Sequence, residues 1–203
     1  MYNIWEFIKN KGYIFVIIAS LIWSFDGILR INLYTLPPAV VVFYEHLFGL
    51  IILLPLFYKW SKDLKKMSRK EWLAIIIVAL LSGALGTIFY TAALGQVKYI
   101  QYSIVVLLQQ LEPIWAILAA SIILKEKISK QFLFWAALAL ISAYLITFKD
   151  LTFNFNTGNG TLIAGLLALS AGIFWGTSTA ISKYVLNKVS FLTATALRFL
   201  FTP

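Results

Sequence analysis

The sequence contains no cysteine and a single histidine. The first absence excludes disulfides, thiol nucleophiles and thiolate-held metals; the second leaves no imidazole pair for a zinc site. Charge is scarce too: Asp, Glu, Lys and Arg make up 12% of the 203 residues, and only 8 residues are acidic. Soluble domains carry about 25% charged residues, so a chain wetted on all sides is excluded. No GxxxxGK[ST] loop is present to bind a nucleotide, and no HExxH pattern supports hydrolysis.

What is present is apolar. Hydrophobic residues make up 61% and aromatics 16% of the chain, the composition of a polytopic membrane protein. Six runs approach or exceed the about 20 residues that a helix needs to cross the hydrocarbon core: Gly12 to Tyr34, Pro38 to Tyr58, Trp72 to Leu94, Tyr99 to Leu124, Gln131 to Phe148 and Thr161 to Leu186. The first run leads into Asp26 and Arg30 without a small-residue cleavage site, so it reads as retained and not as a signal peptide. A seventh run begins near Val189 and reaches Pro203 after 15 residues, interrupted by Arg198. The expectation is a chain truncated at its carboxyl end.

The formal charge of +9 comes from 17 basic residues against 8 acidic. Thirteen of the basic residues fall in the amino-terminal segment (Lys9, Lys11) and the even-numbered connections, at 59–70, 125–130 and 183–188. This is the positive-inside pattern, and it places the amino terminus in the cytoplasm. Binding to nucleic acid is not expected. Tyr34, Trp60, Trp72, Tyr99, Tyr102 and Trp135 fall near span ends, where interfacial aromatics belong.

Two runs repeat small residues every fourth position: Ala79, Gly83, Thr87, Thr91 and Gly95 in the third, and Ala164, Ala168, Gly172, Gly176 and Ala180 in the sixth. Small residues let helices approach closely in lipid, so Gly83, Thr87, Gly172 and Gly176 are assigned to helix packing. A displacement of 152 residues sets Ala19 on Ala171, Trp23 on Trp175 and His46 on Arg198. Five intervening spans would make the second copy enter the membrane from the opposite side, the arrangement of an inverted repeat.

Polar residues inside the runs carry the functional signal. Glu112 in "LLQQLEPIWA" lies 14 residues from Lys98 and 13 from Lys125, about 20 Å from each along a helix. That is the bilayer midplane, where an ionisable group costs about 2.5–3.5 kcal/mol on insertion scales and marks a functional site by default. Pro113 lacks an N–H, leaves the Gln109 carbonyl without its helical partner and kinks the helix. The alternative is that Gln110 or a neutral Glu112 only satisfies the freed backbone. Asp26 and Arg30 are four apart and share a helix face, so they either pair or Arg30 extends outward to the interface. Glu45 and His46 lie about 10–12 Å into the second run; one or the other, not necessarily both, lines the interior. Arg198 is a further interior candidate. Gln109, Gln110, Tyr90, Tyr102 and Trp115 complete a set able to hydrogen-bond or stack on a solute. The mixed-charge interior suits a path for a small polar or amphipathic solute.

The order of these pieces resembles the drug/metabolite transporter superfamily, in particular its EamA-type members. The resemblance runs through "IASLIWSFDGILR", "FYTAAL", "LLQQLEPIWAILAASIILKEKIS", "FWAALALISAYLIT" and "GLLALSAGIFWGTSTAISKYV". It implies ten helices in two inverted halves of five, so that residues 1–150 would form a complete first repeat and 151–203 about two helices of the second. It also implies a secondary transporter in the bacterial cytoplasmic membrane, exporting small metabolites such as amino acids or related compounds by alternating access, with no cofactor. Members often carry an Arg where His46 stands here, while Arg198 keeps that pattern in the second half. Proton coupling through Glu112, Glu45 or Asp26 fits this picture, and a homodimer is compatible with it. The competing readings are an intramembrane enzyme acting on a lipid-linked substrate and an accessory helical bundle. The first lacks a nucleophile with its base; the second leaves a midplane acid without a purpose.

Overall fold

Pro113 breaks the fourth apolar run where its missing N–H requires. In a computed structural model the run divides into α7 (Tyr102–Gln109) and α8 (Glu112–Ile123), with Gln110 and Leu111 in the turn. The backbone tightens through this point: Leu111 N–H donates to Leu108 O at 3.3 Å and Ile114 N–H to Leu111 O at 3.0 Å, the three-residue spacing common at helix ends. The structure describes residues 12–33, 35–96, 98–147 and 160–202. Lys9, Lys11, Tyr34, Phe148, Lys149, the Trp60 side chain and the expected boundary at 150/151 lie outside what is described.

The other runs fold as helices with local departures. The first comprises α1 (Gly12–Ser24) and α2 (Asp26–Ile31). The second forms α3 (Pro38–Leu53), a short turn over Leu54–Leu56 and α4 (Phe57–Leu64). The third is α5 (Arg69–Val78), a π-helical segment over Ala79–Gly86 and α6 (Thr87–Leu94). Then follow α9 (Lys130–Thr147), α10 (Gly160–Leu186) and α11 (Phe191–Phe201). Among the described residues, five helical stretches are long and apolar enough to cross a membrane: Tyr13–Ile31, Pro38–Lys59, Arg69–Leu94, Tyr102–Ile123 and Gly160–Leu186. The apolar stretches Lys130–Leu145 and Phe191–Phe201 are shorter. The fifth run, expected to span, is thus described over fewer residues than the others.

The helix α10 is central, packing against α5, the π segment, α6, α7 and α8. The glycines of its small-residue face receive the broken helix: a Cβ on Gly176 would stand 2.7 Å from both the Glu112 carbonyl oxygen and the Ala116 nitrogen, and one on Gly172 would stand 3.0 Å from the Gln109 carbonyl. The carbonyl freed by Pro113 therefore faces the bare backbone of α10. Gly83 plays the equivalent part against α11, where a Cβ would collide with the Thr202 hydroxyl. One core cluster joins Leu108, Leu111 and Ile114 to Ala164, Ala168 and Ala171; a second joins Ile75 and Val78 to Val185 and Leu197. The outer surface is apolar, with Ile122 78% exposed, as lipid contact demands. Gly176→Leu is expected to cost more than the about 1–3 kcal/mol typical of overpacking, because backbone stands in the way. The measure is the monodisperse fraction after detergent extraction; an undiminished fraction would remove α10 from the centre of the bundle.

At one end of the bundle, polar contacts join neighbouring helices. Ser68 heads α5 in a capping box with Glu71, whose Oε1 also accepts from the Tyr184 hydroxyl at 3.0 Å. Lys183 Nζ pairs with Glu126 Oε1 at 2.5 Å. Asp63 holds the start of α11, accepting from Ser190 N–H at 3.0 Å and the Thr193 hydroxyl at 2.8 Å, while Lys66 Nζ sits 2.6 Å from its other oxygen. The Lys66 ammonium first, then the Ser190 and Thr193 donors, hold the Asp63 carboxyl well below the usual carboxylate range. A depressed pKa contributes stability that is fully present above the ordinary Asp value of about 3.9 and is lost as pH falls through the folded-state value. The melting temperature should therefore exceed that of Asp63→Asn at neutral pH, with the gap narrowing as pH falls below about 4. A pH-independent gap would show that the carboxylate charge does not hold α11.

Candidate functional site

The four-residue spacing of Asp26 and Arg30 places both on the inner face of α2, where Arg30 is buried. Its Nε–H donates to Asp26 Oδ2 at 2.7 Å, one terminal nitrogen to Glu45 Oε2 at 2.7 Å and the other to the Thr91 hydroxyl at 3.0 Å. Thr91 in turn donates to the Thr87 carbonyl at 2.7 Å. One guanidinium thus ties α2 to α3 and α6, and Arg30 turns inward instead of extending to the interface. A planar fork between two carboxylates suits arginine and not lysine.

Asp26, Arg30, Glu45 and Thr87 form one wall of a cavity of about 770 Å³, within the size range that holds small-molecule ligands. Asp26, Glu45, His46, Glu112 and Arg198 all line it. Both Glu45 and His46 reach it, although adjacent helical positions diverge by about 100°. The His46 Nδ1 lies 2.9 Å from the Val42 carbonyl; a carbonyl only accepts, so Nδ1 carries the proton and Nε2 is left for the cavity. Glu112 is half-buried at the first turn of α8, favoured there by the helix dipole, and its Oε1 lies 3.3 Å from the Thr179 hydroxyl, whose one proton it shares with the Trp175 carbonyl at 2.9 Å. The Arg198 guanidinium stacks 5.2 Å from the Phe199 ring, and His46 meets the same ring edge-on at 5.3 Å.

Five expected residues stand off the cavity lining, among them Tyr102, whose ring lies against Gly27. Gln109 is buried in the interface with α10, and Gln110, about 100° further round the helix, is exposed. Trp115 is wedged against Gly172 and Gly176. Tyr90 lies behind the wall, its ring 5.4 Å from that of Trp175, which does line the cavity. Thr87, expected only as a packing residue, also lines it.

The cavity includes further groups outside the expected set. Trp175, Ser178, Thr179 and Ser182 form a polar stripe on α10, at the spacing of one helix face. Ser82 comes from the π segment, whose wide turn leaves its carbonyl free to accept from Trp175 Nε1 and the Thr87 hydroxyl, each at 2.9 Å. Trp23 closes the side at α1, its ring 6.1 Å from that of Trp175 in an edge-to-face pair. Among the described residues no group of three or more His, Cys, Asp or Glu is placed to hold a metal.

A model of the EamA-like transporter family matches residues 10–148. The chain is 40% identical over 194 residues to "Riboflavin transporter ImpX" of Fusobacterium nucleatum, covering 95% of this chain and 65% of that protein. It is 28% identical over 198 residues to "Protein LicB" of Haemophilus influenzae (93% and 63% covered) and 24% identical over 191 residues to an uncharacterized transporter of Methanothermobacter thermautotrophicus (87% and 54% covered). The chain thus spans between 54% and 65% of the length of these curated relatives. No solved structure matches it.

Proposed function

Because the chain belongs to the EamA-like transporter family, we propose that its cavity is the solute site of a secondary transporter working by alternating access. The observation that carries this reading is the cavity itself. Carboxylates, guanidinium groups, an imidazole and hydroxyls from six helices and the π segment converge on one space, inside a chain whose exterior is apolar. Residues this costly in a membrane are retained where they handle a solute or an ion. Glu112, Glu45 and Asp26 are the carboxyl groups through which proton coupling would run.

An inverted repeat over residues 1–150 and 151–203 has support at the same place. Residues one displacement apart meet there: Trp23 pairs with Trp175, and His46 and Arg198 share the Phe199 ring. Side chains on a two-fold axis between repeats behave in this way. The basic end bearing Lys62, Lys66, Lys125 and Lys183 then faces the cytoplasm.

The solutes placed first are small amphipathic metabolites of two kinds. Flavins follow from the 40% identity to a protein named as a riboflavin transporter. Amino acids suit the mixed-charge lining. The test is uptake and efflux of riboflavin and of tryptophan by proteoliposomes holding the protein, with and without an imposed pH gradient. Gradient-sensitive flux of either solute is expected. Absence of flux of both would set the reading aside, and chemical conversion without flux would favour the intramembrane-enzyme alternative.

A further inference from the structure

The two arginines of the cavity differ in how they are satisfied. Arg30 spends three of its nitrogens on Asp26, Glu45 and Thr91 at 2.7–3.0 Å. Arg198 makes no ion pair and no side-chain hydrogen bond with any described residue, and its Nε is buried without a partner. Glu45, the carboxylate whose field reaches Arg198, is held by Arg30. The Arg198 residue is half-buried, and a guanidinium that faces a cavity with a buried donor unused is costly unless something else accepts from it.

We propose that Arg198, with His46 beside it on the Phe199 ring, is the anion subsite of this cavity, taking the carboxylate or phosphate group of the solute. The proposal rests on the reading of the cavity as a solute site and narrows its substrate class to molecules carrying such a group. The chemistry of the group supports it: the Arg198 fork presents donors in the plane that a carboxylate or phosphate accepts in pairs. The neighbouring His46 donates through Nδ1 to Val42, which leaves Nε2 as an acceptor, so Arg198 alone supplies the donors to the anion. The remaining acid without a cation partner, Glu112, bonds only Thr179 among the described residues. It stands on α8, apart from α11, and does not compensate Arg198 by contact.

The proposal is tested with three small aromatic probes of similar shape: benzoate, phenyl phosphate and the neutral benzamide, each titrated calorimetrically into the protein in nanodiscs. At least one anion should bind ten-fold or more tightly than benzamide, and the comparison between the two anions tells carboxylate from phosphate. Arg198→Gln should erase the preference, while Arg198→Lys should keep part of it. Equal binding of the three probes, binding by none, or a preference that survives in Arg198→Gln would each overturn the subsite. The wild-type comparison stands even where a variant folds poorly. Flux of riboflavin without any anion preference would leave the transporter reading in place and remove only this proposal.

Discussion

Replacing Arg30 by Met is expected to destabilise the protein by about 3 kcal/mol, near the lower end of the about 3–5 kcal/mol seen when one partner of a buried ion pair is removed. The lower end applies because Glu45 is 42% exposed at its side chain and Asp26 28%, so cavity water can take up part of the orphaned charge. The loss is larger than that of one hydrogen bond because Arg30 joins three helices. Thermal unfolding followed by size-exclusion chromatography measures it. Neutralising the partners together, as in Asp26→Asn with Arg30→Met and Glu45→Gln, should recover much of the loss, since no uncompensated charge remains. If the single and triple variants melt alike, the cluster contributes shape and not charge balance.

The second large effect is expected at Glu112. Glu112→Gln keeps size and hydrogen bonding to Thr179 and removes the titratable proton. Flux should fall by about tenfold or more, a barrier change of about 1.4 kcal/mol, or should lose its dependence on pH. The fold should persist, because the contact of the Glu112 backbone with Gly176 does not involve the carboxyl group. Unchanged flux with unchanged pH dependence would assign Glu112 to the helix break alone. Thr179→Val separates the two roles of the carboxyl: it removes the hydrogen bond and leaves the proton, so it should alter flux less than Glu112→Gln.

How much of this was legible beforehand depended on whether a residue acts through its own helix or through a neighbour. The break at Pro113, the shared face of Asp26 and Arg30, and the apolar runs follow from chain chemistry and helical spacing, and the structure has them. The inward turn of Arg30 was open, because the deciding partners, Glu45 and Thr91, lie 15 and 61 residues away in the chain. Gln109 and Gln110 were indistinguishable by composition; the fit of α7 and α8 against the glycines of α10 sends one inward to that interface and the other outward. The π segment carries no proline, and its Ser82–Gly83 pair does not by itself distinguish a π segment from a kink. It is stabilised by Trp175 and Thr87 donating to the Ser82 carbonyl, and the first of these contacts exists only after α10 has packed. The stripe of Ser178, Thr179 and Ser182 was present at helical spacing and would have been found by weighting hydroxyls in the sixth run as heavily as charges.

The wide turn at Ala79–Gly86 has a mechanical meaning. A helix wound with an extra residue in one turn stores slack. Rewinding it to ordinary pitch would rotate everything beyond Gly86 by about 100° per residue of register and slide it by about 1.5 Å. Thr91, which anchors Arg30, and Tyr90, which backs Trp175, both lie beyond that joint. Any change of winding in the third run would therefore carry both residues with it, and with them two sides of the chamber.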